Sequence, residues 1–190
     1  MAWRRGAHLR LTPRRRSRFD FLVVPASRTP LSLSSRTLQS QQRSAIQVIS
    51  PCLWFDSQGE EAARFYVSVF KNSKILSATP MSVTFQLEGQ QFYALNGGPQ
   101  YKFTPAISLF VNCETQQEVD DLWKKLSASP ADEQCGWLKD KYGLSWQIIP
   151  TALGKMMGDK NPKKAGAAVQ AMLKMKKIDI KALQQAFDGA

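Results

Sequence analysis

The densest group of reactive side chains in this chain lies at residues 134–150, QCGWLKDKYGLSWQIIP. It offers a thiol (Cys135), two indoles (Trp137 and Trp146), a phenol (Tyr142) and the charged run Lys139, Asp140 and Lys141. A cysteine nucleophile needs a neighbouring base to take its proton, most often an imidazole. The only histidine is His8, far upstream in an arginine-rich tail. Nothing near Cys135 would activate it, so a buried, inert thiol is expected. Lys139, Asp140 and Lys141 read as a solvated turn. Cys52, Cys113 and Cys135 stand far apart with no Cys-x-x-Cys spacing. Free thiols in a reducing compartment are therefore expected, not a disulfide framework. No acid–base pair emerges, so no catalytic residue is assigned.

The charge balance first suggests a nucleic acid or a membrane, because the 190 residues carry a formal +11. Its distribution removes that inference. Residues 1–45 hold ten arginines, no lysine and the single acid Asp20, leaving the remainder at about +2. The tail has no interleaved aromatic motif of the kind that stacks on bases, and no apolar run reaches membrane-spanning length. Neither nucleic acid nor membrane is expected as a partner. Its Arg- and Ser-rich, acid-poor composition fits either an organelle transit peptide or a bland extension. The protein would be in the mitochondrial matrix in the first case and in the cytoplasm in the second. Residues 1–46 are set aside from the fold.

From Val48 the pattern turns regular. VISPCLWF reads as a strand. GEEAARFYVSVF reads as a helix with Ala62, Phe65, Tyr66 and Val69 on one face. SKILSAT, SVTFQLE and QFYALN read as strands. The second half begins with the strand AISLFVN. The helix TQQEVDDLWKKLSA then sets Val119, Leu122, Trp123 and Leu126 at the same offsets as the first helix's apolar face. The turn-rich SPADEQ follows, then strand, tight turn and strand through CGWLKDKYGLSWQIIP. Each half is β-α-β-β-β, over about 47–98 and 104–150. The expected class is α+β, with two paired βαβββ modules forming one curved, cup-like mixed sheet and helices outside. Residues 151–190 read as short helices forming a C-terminal extension. Their stripe of Ala165, Ala168, Val169, Met172 and Met175 is expected to pack on its own domain or on a second subunit.

Long stretches of the chain, SPCLWFDSQGEEAARFYVSVFKNSKI, FQLEGQQFYALNGGPQYKFTPAISLFVNCETQQEVDDLWKKLSA and QCGWLKDKYGLSWQIIPTALG, resemble the PhnB-like branch of the vicinal oxygen chelate superfamily. That superfamily includes glyoxalase I, bleomycin-resistance proteins and extradiol dioxygenases. The branch often carries the name 3-demethylubiquinone-9 3-methyltransferase. The resemblance covers about residues 47–188 and implies the cup of paired modules. The connection SKILSATPMSVTFQLE is shorter than the branch's usual excursion, which implies a truncated rim.

Superfamily enzymes hold a divalent metal with His and Glu from four strands. Carried onto this chain, those positions fall near Pro51, Ala94 and Ala106 and at Gln147. None is a His, Asp or Glu, so no metal and no cofactor is expected. The methyltransferase name implies adenosylmethionine. However, the only glycine pair, NGGP at residues 96–99, follows a late strand and precedes no clear helix, unlike a nucleotide-binding turn.

Alternation from these positions assigns faces. It puts Leu53, Phe55, Phe92, Asn96, Ser108, Phe110, Ser145, Gln147 and Ile149 inside the cup. Trp54, Ile107, Leu109, Val111, Trp146 and Ile148 fall beneath the helices. The expectation is a small-molecule pocket with Leu53, Phe55, Asn96, Phe103, Ser108, Phe110, Trp137 and Gln147 as ligand-binding residues, Phe103 and Trp137 closing it. A metal-independent small-molecule binder that forms a homodimer leads the reading. A methyltransferase or glyoxalase-like lyase, and a purely structural homodimer, are the alternatives.

Overall fold

The first half of the repeat is complete in the computed structural model, which describes residues 49–190. Strand β1 (Cys52–Phe55) leads into helix α1 (Gly59–Val69), then β2 (Lys74–Ala78), β3 (Ser82–Leu87) and β4 (Gln90–Asn96). The sheet runs β1-β4-β3-β2, with β1 parallel to β4 and the other pairs antiparallel. Glu60 and Glu61 occupy the first turn of α1, where the helix dipole favours negative charge. Ala62, Ala63, Tyr66 and Val69 are buried against the sheet, as the helical spacing requires. Residues 79–81 alone separate β2 from β3, so the connection is short. The expectations for residues 1–46, His8 among them, lie outside the described residues.

The second half is not a full copy. It contains β5 (Ser108–Cys113), α2 (Gln116–Leu126), β6 (Trp137–Lys139) and β7 (Ser145–Pro150), giving a three-stranded sheet in the order β5-β7-β6. Helix α2 starts with a capping box. The Glu118 N–H donates to the Thr115 hydroxyl, and the Glu118 carboxylate accepts from the Thr115 N–H, which satisfies two otherwise orphaned donors. The strand expected between α2 and β6 is missing. Pro130 opens a short 3-10 turn there and has no N–H to give a ladder. The Glu133 carboxylate accepts from the Trp123 indole and the Ser127 hydroxyl, which draws this connection toward α2. Only one isolated bridge, Gln134 to Trp137, survives.

The two modules also form two sheets, not one continuous sheet. They join through side chains. Leu53, Phe85, Tyr66, Leu126, Leu138 and Trp146 belong to one core that draws on both halves. Phe70 stacks on Trp146 with ring centroids 5.3 Å apart.

Helices α3 (Thr151–Met157), α4 (Pro162–Met172) and α5 (Ile180–Asp188) form the C-terminal extension. Leu153, Met156, Ala168, Ile178 and Leu183 pack with Ile149 of β7, and Met172 and Met175 lie against this cluster. The methionine stripe thus packs on its own domain. Main-chain bonds lock the contact. Cys135 and Gly136 donate to the carbonyls of Met175 and Lys176 at 2.8 and 2.7 Å. Gln116 accepts from the Ile180 N–H and donates to the Ile178 carbonyl.

Three surface carboxylates also tie elements together. The Tyr142 hydroxyl and then Lys141 hold Glu61 below the usual carboxylate range. Lys177, then Gln116, does so for Asp120, and Lys139, then Ser129, for Asp132. A carboxylate with a lowered folded pKa contributes stability above its unfolded value of about 4, and that contribution is lost as pH falls through the folded value. Glu61→Gln and Asp120→Asn should therefore melt below the parent at neutral pH and converge with it under acid. Thermal melts from pH 7 down to about 2.5 check this; a gap that persists in acid would show that the charges are not its source.

Candidate functional site

Strand pairing fixes which side chains share a face. In the second sheet Trp146, Ile148, Leu138, Leu109 and Cys113 turn into the core with α2. The opposite face carries Ser108, Phe110, Trp137, Ser145 and Gln147, the face expected for four of the proposed ligand residues. It is open at Phe110, while Ser145 is buried and Ile149 on the same face is covered by the C-terminal extension. Ile107 lies ahead of β5 and is exposed, not beneath the helices. In register, Phe110 sits opposite Gln147, and Gln147 opposite Trp137. These three form one row across β5, β7 and β6. The Gln147 amide donates to the Ser108 hydroxyl at 2.9 Å. Phe110 is 55% exposed, which is unusual for so large an apolar side chain on a strand.

The first sheet reverses the expectation. Leu53, Phe55, Phe92 and Ala94 lie under α1 in the core, not in the cup. Asn96 points the same way, and its amide is committed to the fold. Its oxygen accepts from the Gly59 N–H at 2.8 Å, and its nitrogen donates to the Pro80 carbonyl at 2.9 Å. The open face holds Cys52, Trp54, Thr84 and Tyr93 instead. Phe103 lies away from the row, edge-on to Phe55 at 5.2 Å. Of the eight expected ligand residues, the structure brings together Ser108, Phe110, Trp137 and Gln147. It leaves Leu53, Phe55, Asn96 and Phe103 elsewhere.

The turn after β6 corrects a second expectation. Asp140 is only 3% exposed. Its carboxylate accepts from the Tyr66 hydroxyl and the Trp146 indole, both at 2.8 Å, and from the Tyr142 and Leu144 N–H groups at 2.9 and 3.0 Å. Burial raises its pKa against these four donors. Burial, then Asp140, pushes the Tyr66 hydroxyl far above its ordinary value, so it remains a donor. This network joins α1 of one module to the hairpin of the other and is structural. Lys141 is at the surface, where it pairs with Glu61 at 3.0 Å and lies over the Phe65 and Tyr142 rings. Burial pushes the Cys113 thiol up to about 11, which leaves it unreactive.

A cleft of about 460 Å³ opens at the seam between the modules. Pro51, Leu87, Phe92, Leu109, Phe110 and Trp146 supply most of its apolar wall, and Gln90 and Asn112 its polar edge. Phe110 therefore borders both the seam cleft and the open-face row. The residues lining these faces do not fit a catalytic metal. Among the described residues no three His, Cys, Asp or Glu side chains come together to hold an ion. The open face offers the Ser108 hydroxyl, the Gln147 amide, the Tyr93 phenol and the exposed Cys52 thiol, not imidazoles and carboxylates.

Comparison with known proteins bears on the family. The family model described as 3-demethylubiquinone-9 3-methyltransferase matches residues 47–149. The PhnB protein from Bacillus cereus is 36% identical, with 55% of this chain and 99% of that chain covered and a TM-score of 0.47. A protein from Staphylococcus aureus is 28% identical over 52% of this chain and 92% of its own, with a TM-score of 0.23. The fosfomycin resistance protein FosX from Listeria monocytogenes, solved with Mn(II) and sulfate, is 12% identical over 55% and 90%, with a TM-score of 0.41. No curated protein matches the chain.

Proposed function

We propose a small-molecule-binding role for this chain, which belongs to the 3-demethylubiquinone-9 3-methyltransferase family, the PhnB-like branch of the vicinal oxygen chelate superfamily. The row Phe110–Gln147–Trp137 carries the reading. Two aromatic side chains flank an amide at strand spacing, so a ligand laid across the row meets apolar surface on both sides and a hydrogen-bonding group between. The Ser108 hydroxyl steadies that amide. A metal-independent mode of binding fits the described residues, among which no donor set for a metal comes together.

Native mass spectrometry of the purified protein tests this. A non-covalent organic adduct is expected, with no equivalent of metal. Phe110→Ala and Gln147→Leu should each weaken it about tenfold, as the loss of an aromatic or amide contact implies, while the melting temperature stays near the parent's. An adduct retained in both variants, or one equivalent of tightly held metal, overturns the reading. Exposed Tyr93, Ile107 and Phe110 also support a homodimer that covers the open faces; a monomer mass in the same spectrum would count against it.

A further inference from the structure

We propose that a second cleft, at the C-terminal end of β1, binds a small planar aromatic carboxylate. This cleft of about 370 Å³ is walled by Trp54, Tyr101, Phe103 and Tyr142, with Lys102 and Asp56 among its polar groups. It contains none of Ser108, Phe110, Trp137 and Gln147, so it stands apart from the open-face row.

The aromatic wall is held in place from behind. The Trp54 indole N–H donates to the Gly98 carbonyl at 2.8 Å. Its ring lies so close over Gly97 that a Cβ there would sit 2.2 Å away. Tyr101 stands edge-on to Trp54 with centroids 5.0 Å apart. The Tyr142 hydroxyl is tied to Glu61 at 2.7 Å. With the polar tips of Trp54 and Tyr142 engaged, these two rings offer the cleft their apolar faces and edges. Tyr101 remains 68% exposed, so its ring is open to a ligand. A planar aromatic ring inserted here would meet edges and faces at the offset and T-shaped geometries such rings prefer.

Charge decides the sign of the ligand. Lys139 lines the same cleft but is paired with Asp132 at 2.7 Å. Lys102 has no ion-pair partner among the described residues, and its long flexible stem can follow a ligand's carboxylate. Asp56 is the one acid in the wall and has a short reach. With Lys139 engaged by Asp132, Lys102 and Asp56 are the cleft's remaining charges. The longer lysine stem is the one that can reach a ring-bound substituent, and an ammonium–carboxylate bond is one of the stronger polar contacts.

Isothermal titration calorimetry on the full chain with 2-naphthoate tests the proposal. One-to-one binding is expected. Lys102→Glu, at an exposed position that leaves the core untouched, should weaken it about tenfold or more. Trp54→Leu should weaken it about three- to tenfold. Phe110→Ala and Gln147→Leu should leave it unchanged, which separates this cleft from the open-face row. Naphthalene-2-carboxamide and 2-naphthylmethylamine should bind about tenfold more weakly than the acid. No heat at millimolar 2-naphthoate overturns the proposal, as does unchanged affinity in a folded Lys102→Glu protein. So does loss of binding in Gln147→Leu, or a preference for the amine that Asp56→Asn abolishes.

Discussion

Replacing Asp140 with alanine should lower the unfolding free energy by about 3–5 kcal/mol, a large share of the stability of an ordinary domain. The side chain is buried, and four donors converge on it. Alanine leaves the Tyr66 hydroxyl and the Trp146 indole facing a void, and each stranded buried donor costs about 1–3 kcal/mol. Water can reach the two turn N–H groups more easily, which keeps the total below the sum of four separate losses. Asp140→Asn should cost about 2 kcal/mol, because the amide oxygen keeps the turn while its NH2 group confronts the Trp146 N–H. Tyr66→Phe removes one donor and leaves the carboxylate three, so about 1 kcal/mol is expected. Urea unfolding followed by circular dichroism checks the order of the three variants. If Asp140→Ala cost no more than Tyr66→Phe, the carboxylate would not be the tie between the modules.

That tie was the least legible feature of the chain. In the sequence Asp140 stands between two lysines, which is the usual look of a solvated turn. Its partner Tyr66 lies 74 positions earlier, and no local pattern connects them. The helices were legible because their apolar spacing is local: α1 and α2 begin 57 residues apart and end 57 apart. Strand faces failed for a related reason. Three residues link β1 to α1, but only two link β5 to α2. The ends of β1 and β5, Phe55 and Cys113, are therefore 58 apart while the helices are 57 apart. A slip of one residue turns every strand side chain to the other face. Positions carried over with one parity served Phe110 and Gln147 and misplaced Leu53 and Phe55. The missing strand before β6 was half legible. SPADEQ is turn-rich on its face, but the grip of Trp123 and Ser127 on Glu133 depends on the folded position of α2.

The C-terminal extension yields the second large effect. Gly136→Ala should destabilise the protein by about 3 kcal/mol and loosen the extension first. Gly136 has φ +86°, where a Cβ costs about 1–2 kcal/mol from backbone sterics alone. The added carbon would also lie 2.5 Å from Ile149 Cδ1 and 3.2 Å from both the Ile148 carbonyl and Ile178 Cγ1. Ile149 can swing its terminal methyl aside, but the carbonyl and Ile178 leave little room, so about 1–2 kcal/mol of overpacking adds to the strain. The shift would pull on the Gly136 N–H bond to Lys176 and on Ile178. Hydrogen exchange should then accelerate across residues 175–178 and α5 before it does in β5 and β7. Gly143→Ala separates the two causes. Gly143 has φ +85° but nothing within 4 Å of a built Cβ, so it should lose only the backbone strain of about 1–2 kcal/mol. Equal losses at the two glycines would mean that packing of residues 175–178 against β7 contributes nothing to stability. A larger loss at Gly136, with exchange rising in the extension, would identify the extension as part of the domain's folding unit.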